Sequence, residues 1–214
     1  MSEPQLVAGR VEQGGKAETI LAAAERAFLA RGFGAVTMDA IAREASVSKA
    51  TVYAHFHGKE ELFGAIVARL SERRFGGFSV EALDPRDIAA SLTTIAHRFL
   101  DLVLSPEGIA LNRIIVAEVT RFPLLGQVFW AAGPQRQRAQ IEAFLRRAAQ
   151  AGSLAIPDPR LAAEQFAALA RGEIHLRSSL LRLDDPADPD ALDAAATNAV
   201  ATFLRAFAPR PEDR

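Results

Sequence analysis

The sequence predicts an all-α chain, on three observations. Half of the residues are hydrophobic, with alanine and leucine prominent and β-branched residues seldom in runs, a composition that favours helices. Apolar residues recur at helical spacing along most of the 214 residues, with no strand-like alternation between them. Segment starts repeatedly carry serine or aspartate followed by proline, a side-chain cap joined to a first-turn residue that has no amide hydrogen to satisfy.

In chain order, residues 1–15, with Gly9, Gly14 and Gly15, read as a flexible arm. From Lys16 to Arg31 the positions Ile20, Leu21, Ala24, Phe28 and Leu29 make one apolar helix face, which Gly32 ends as a left-handed cap. Two short helices follow. The first, about Met38 to Ala45, is capped by Thr37 and carries Asp39 in its positive first turn. Ser46 and Val47 make a turn, and Ser48 caps the second, Lys49 to about His55. Neither is long enough to stand alone, so both rest on the apolar faces of Ile41, Ala42, Ala45, Val47, Val52 and Phe56.

A fourth helix runs from Lys59 through Leu62, Phe63, Ile66, Val67 and Leu70 to Arg74, where Gly76 and Gly77 break it. Asp84-Pro85 opens a helix to about Leu104, and Ser105-Pro106-Glu107 one to about Thr120. Pro123 starts a segment that Gly133-Pro134 restarts as a long helix to about Ala151. Asp158-Pro159 opens a helix to about Leu181, and a loop around Pro186 precedes the last, about Asp190 to Phe207, before a flexible tail over 209–214. The expected architecture is about nine helices, a three-helix unit over 16–62 and a larger helical unit over 63–208.

No apolar run approaches the ~20 residues of a membrane span, and no basic-then-apolar leader is present, which reads as a cytoplasmic chain. The absence of cysteine excludes disulfides and thiolate chemistry. His97 and His175 stand isolated, no H-E-x-x-H pair or nucleophile turn occurs, and neither metal, cofactor nor enzymatic activity is expected. Charge alone does not announce nucleic acid: the net charge is −1, and residues 1–75 hold ten Lys and Arg against nine Asp and Glu. The three lysines, Lys16, Lys49 and Lys59, nevertheless all fall in the first sixty residues, by chance or as a local basic face.

Once the apolar residues of the Lys49–His55 helix are assigned to a core, Lys49, Ala50, Thr51, Tyr53 and His55 remain. A helix entering the major groove needs such a surface: hydroxyls for phosphates or base edges, a small residue at close approach, and a cation. The alternatives are a partly buried packing role for Tyr53 and a capping role for His55. The run Thr37, Met38, Ile41, Ala42, Ala45, then Val47, Ser48, Thr51, Val52, Tyr53, His55, Phe56, then Lys59, Glu60, Leu62, Phe63 resembles the helix-turn-helix of the TetR family of bacterial transcriptional regulators. The departures are His57 and Gly58, where the family often has proline or lysine and then a serine, asparagine or aspartate cap. The stretch IALNRIIVAEVTRFPLLGQVFWAAGP, with DPRLAAEQFAALARG downstream, also looks like the regulatory domain of the AefR-like branch.

The resemblance implies a homodimeric repressor, released from a palindromic double-stranded DNA operator by an apolar or aromatic small molecule. Its DNA-binding residues would be Thr37, Ser48, Lys49, Ala50, Thr51, Tyr53, His55 and Lys59, with Arg10 of the arm in reach. Recognition helices of the two subunits would lie about 34 to 36 Å apart, coupled to the effector through the helix that starts at Lys59. An effector site would draw on His97, Phe99, Arg113, Ile114, Glu118, Phe129, Trp130 and His175, of which the apolar members are alternatively plain core. The two last long helices, with Gln165, Phe166, Leu169, Leu192, Ala199 and Phe203, would form a four-helix dimer interface, or else intramolecular core. A helical small-molecule sensor without specific DNA binding is the competing function, which the retained hydroxyls, Tyr53 and lysines oppose.

Overall fold

A computed structural model of the chain describes residues 3–76, 80–181 and 188–209, with side chains from Gly15 onward. Among these residues there are ten α-helices and no strand: α1 Glu3–Arg31, α2 Met38–Glu44, α3 Lys49–His55, α4 Lys59–Ser71, α5 Ile88–Val103, α6 Pro106–Glu118, α7 Pro123–Ala132, α8 Pro134–Gln150, α9 Pro159–Leu180 and α10 Pro189–Phe207. The chain is all-α, as its composition and helical period predict.

Three boundaries differ from expectation. Helix α1 already begins at Glu3 rather than Lys16; glycine inside a helix costs about 1 kcal/mol relative to alanine but does not forbid it. The side chain of Arg10, Gly77, the loop around Pro186 and the tail beyond 209 lie outside what is described. Helix α5 starts at Ile88 with Asp87 as its cap, accepting from Ala90 N at 3.4 Å. Asp84, expected to cap it, instead accepts from Arg86 N at 2.9 Å in a turn of its own. Helix α4 also passes into a π turn, Glu72–Gly76, over the stretch where a plain helix to Arg74 was expected.

The chain forms two compact units, residues 1–68 with 114–132, and 69–113 with 133–214. The division falls inside α4, inside α6 and between α7 and α8. In the first unit, Phe28, Phe33 and Phe63 are fully buried and meet edge to face or tilted, with ring centroids 5.3 to 5.9 Å apart. Phe122 joins them 5.2 Å from Phe33, which brings the α6–α7 turn onto the core of α1–α4. Gly64 of α4 makes close approach of α7 possible, since a Cβ there would lie 2.5 Å from Val128 Cγ1. The second unit is built on α5, α8, α9 and α10, around Phe99, Phe144, Leu145, Phe166 and Phe203. Arg147 of α8 holds the carbonyls of Val80 and Leu83 beside it.

Candidate nucleic-acid interface

The α2–turn–α3 unit is held by local bonds that its sequence dictates. Thr37 Oγ1 accepts from Ala40 N at 3.1 Å, capping α2. Ser48 Oγ accepts from Thr51 N at 3.1 Å and shares a 2.8 Å bond with the Thr51 hydroxyl, capping α3. Between them Ser46 takes φ 56°, so that Val47 N reaches Ala42 O at 3.0 Å. A left-handed conformation costs a side-chain-bearing residue about 1 kcal/mol, offset here by the two helices packing on Ile41, Ala42, Ala45 and Val52, all buried. Val47 itself is half-buried.

The outer face of this unit carries Thr37, Ser48, Lys49, Ala50 and Tyr53, all exposed, with Thr51 and His55 half-buried. Tyr53 is 43 % exposed, far more than a packing residue would be. Lys49 Nζ lies 2.8 Å from Asp39 Oδ1 and 5.9 Å from the centre of the Tyr53 ring. The Asp39 carboxylate, by hydrogen bond and charge, raises the Lys49 amine above its ordinary range. The face is therefore hydroxylic, aromatic and locally charged, as groove contact requires.

Lys59 is placed otherwise than expected. Its Nζ donates to Phe33 O at 2.9 Å and lies 4.5 Å and 5.6 Å from the Phe33 and Phe122 ring centres. Burial there pushes the amine below its ordinary range, and in this position it faces the aromatic core rather than a phosphate. Lys59→Ala is accordingly expected to lower the stability of this unit by about 1.5 kcal/mol, read by denaturant unfolding, and to leave the salt slope of DNA binding unchanged. A slope smaller by about 1 at full stability would return Lys59 to the phosphate role.

The residues expected at an effector site divide between the units, with Ile114, Glu118, Phe129 and Trp130 in the first and His97, Phe99, Arg113 and His175 in the second. Two of the polar ones are already engaged, a correction to their expected availability. Glu118 Oε1 accepts from Gly34 N at 2.9 Å. Arg113 donates through Nε to Ser179 O at 2.9 Å and through Nη2 to Ser178 O and Leu181 O at 2.9 and 3.0 Å, closing the C-terminus of α9. His97 is exposed, with Nε2 3.3 Å from Asp193 Oδ1. Phe99 is core, Ile114 and Phe129 are half-buried, and Trp130 is 49 % exposed. His175 is half-buried, and burial with the Arg171 charge holds its imidazole below the usual range.

Of the residues expected at a dimer interface, Phe166, Ala199 and Phe203 are buried within the chain, Phe166 and Phe203 meeting edge to face at 5.2 Å. They support a surface from beneath and are not its outer layer. Exposed on α9 are Leu161, Gln165 and Leu169 before a kink at Gly172 (φ 44°, ψ −152°) and Leu176 and Leu180 after it; Leu192 is half-buried on α10. Sequence reading passed over Leu161 and Leu180, although their spacing from Gln165 and Leu176 was the available signal. Among the described residues no group of three or more metal-ligating side chains occurs, and no helix is long and apolar enough to cross a membrane.

Comparison with known proteins agrees with this geometry. Residues 20–66 match the model for bacterial regulatory proteins of the tetR family, and residues 90–209 that for the C-terminal domain of AefR-like transcriptional repressors. Among solved structures, the flavonoid-responsive regulator FrrA is 35 % identical, with TM-score 0.74 over 92 % of this chain and 99 % of that one. A TetR-family regulator from Mesorhizobium loti MAFF303099 is 26 % identical with TM-score 0.78, over 92 % and 98 %. The regulator SrpR of Pseudomonas putida is 31 % identical over 99 residues, 46 % of this chain and 45 % of SrpR, so the match spans about half of that relative's length. The relatives are transcriptional regulators rather than enzymes, and the chain belongs to the TetR family of DNA-binding transcriptional regulators.

Proposed function

We propose that the protein is a homodimeric repressor that leaves a palindromic operator when a flat, apolar or aromatic small molecule binds. The observation that carries the DNA side is the doubly capped α3 with Ser48, Lys49, Ala50 and Tyr53 turned outward and Thr37 at the neighbouring cap. One seven-residue helix reads too few base pairs to single out an operator, so a second copy at a spacing of about 34 to 36 Å is required. The exposed leucines on either side of the α9 kink support that pairing, together with a groove of about 690 Å³ between α9 and α10 lined by Gln165, Leu169, Gly172, Phe203 and Phe207.

The aromatic class of effector rests on similarity to FrrA, described as flavonoid-responsive, along nearly its whole length. His175, half-buried and with its imidazole held below the usual range, offers a hydrogen-bonding group suited to such a ligand. Coupling has three covalent routes, because the chain passes between the units within α4, within α6 and between α7 and α8. An effector shifts the equilibrium only by its differential affinity for the two states.

Mobility-shift titration and footprinting on the DNA flanking the gene test the reading. The expected result is a two-fold symmetric footprint, released by a flavonoid such as quercetin. Tyr53→Ala is expected to weaken binding roughly thirtyfold, the scale of losing one well-placed aromatic contact, with the sedimentation of the protein unchanged. Full affinity in that variant removes α3 from the groove. A monomer that binds the flavonoid but retards no DNA would favour the sensor function instead.

A further inference from the structure

Three basic residues of the DNA-binding unit, Arg26, Arg31 and Lys49, are paired with acids. Glu44 pairs with Arg26 and Arg31 of α1 at 3.5 and 3.2 Å, on the inner side of α2. Asp39, on the outer side, reaches across the turn to Lys49, the only lysine of α3. Both partners are more than half exposed, at 60 % and 52 %. An ion pair so exposed adds little to stability. Its effect at a surface meant for DNA is larger, because a carboxylate beside the lysine opposes the phosphates that the lysine would attract.

We propose that Asp39 is a specificity-determining residue: by holding Lys49 at 2.8 Å it cancels the cation of α3 toward the phosphate backbone and so keeps the affinity for non-operator duplexes low. Phosphate attraction carries no sequence information and supplies nearly all non-specific binding. Base-edge contacts from the α3 hydroxyls and Tyr53 then make up a greater share of the operator's affinity. With Lys59 turned to the aromatic core and a net charge of −1 for the chain, this unit discriminates by withholding general electrostatic binding. The inference rests on α3 being the helix that enters the groove.

The test uses the full chain and two probes, a labelled random-sequence duplex and the duplex that the wild-type protein enriches from a random pool. Fluorescence anisotropy is followed between roughly 50 and 200 mM salt, the range over which phosphate contacts change affinity most. Asp39→Asn is expected to tighten the random duplex about fivefold at the low end and to steepen its salt slope by about 1, one released counterion per freed lysine. The selected duplex should gain less, so the ratio between the two falls. Lys49→Gln alone should weaken both, and Asp39→Asn in the Lys49→Gln background should tighten the random duplex clearly less than Asp39→Asn does when Lys49 is present. Asp39→Ala repeats the measurement with a different neutral side chain. An unchanged random-duplex affinity in Asp39→Asn and Asp39→Ala, with Lys49→Gln still weakening both probes, overturns the masking role alone. Equal tightening in the presence and absence of Lys49 also overturns it, assigning the effect to overall charge. Loss of effect in both Lys49→Gln and Tyr53→Ala overturns the inference together with the placement of α3.

Discussion

Phe33→Ala is expected to cost the DNA-binding unit about 4 kcal/mol, the range for removing a fully buried aromatic ring. Phe33 has no exposed surface and lies at the centre of four rings, 5.3 Å from Phe28, 5.8 Å from Phe63 and 5.2 Å from Phe122. The Lys59 ammonium sits 4.5 Å above the same ring and donates to the same residue's carbonyl. Deleting the ring leaves a cavity and also removes the π face that offsets the partial desolvation of that amine. The neighbouring Gly34 N, bonded to Glu118, would lose the register that the ring fixes. Denaturant unfolding followed by helix signal is the measurement, with DNA retardation as the functional readout. Phe33→Leu, which refills most of the volume, should cost about 1.5 kcal/mol and restore retardation. A loss below about 1 kcal/mol for alanine would mean that the ring cluster does not organise the unit.

This cluster marks the limit of what the chain discloses by itself. Phe28 and Phe63 fall on helical apolar stripes, and their burial follows from spacing alone. Caps are equally legible, because a cap and its amide are two or three residues apart: Thr37, Ser48, Asp158 and Asp188 each accept from a residue just ahead of them. Where two candidate caps compete, as at Asp84 and Asp87, sequence pattern chose the wrong one. Both can accept a backbone amide, and only the tertiary placement of the turn decides between a helix start and an isolated turn.

The distant partners of polar side chains are hidden from the sequence for a different reason. Lys59 finds its acceptor 26 residues back, Glu118 its donor 84 residues back, and Arg113 its carbonyls 65 to 68 residues ahead. No local period encodes such pairings. Each is a charge or polar group that sequence reasoning gives to a ligand because no neighbour is in view. The α9 face shows the same limit for apolar residues. A period of 3.6 identifies the stripes that seek cover but not whether the cover is the same chain, as for Phe166, or lies outside it, as the exposure of Leu176 and Leu180 requires of anything that covers them.

In the second unit, Gly108→Ala is expected to be nearly as damaging, at about 3 kcal/mol, the upper part of the range for forcing an extra carbon into a packed site. Helix α5 turns into α6 through Leu104 and Ser105 alone. Ser105 Oγ accepts from Gly108 N at 2.9 Å and donates to Leu102 O at 2.8 Å, so one hydroxyl satisfies the end of one helix and the start of the next. That arrangement seats Gly108 directly on the Leu102 carbonyl. A Cβ at Gly108 would come 2.3 Å from Leu102 O and 2.9 Å from Ser105 Oγ, and a backbone oxygen at the end of a packed helix has no rotamer by which to yield. Arg74 bridges the same corner, 3.1 Å from Asp101 of α5 and 3.1 Å from Glu107 of α6, which opposes any splaying of the two helices. Ser105→Ala separates the two causes, because it removes the cap without adding bulk and should cost about 1 kcal/mol. Denaturant unfolding of the two single variants reads both figures. A Gly108→Ala chain within about 1 kcal/mol of the native one would mean that the corner relaxes, and that the contact at Leu102 O does not set the angle between α5 and α6.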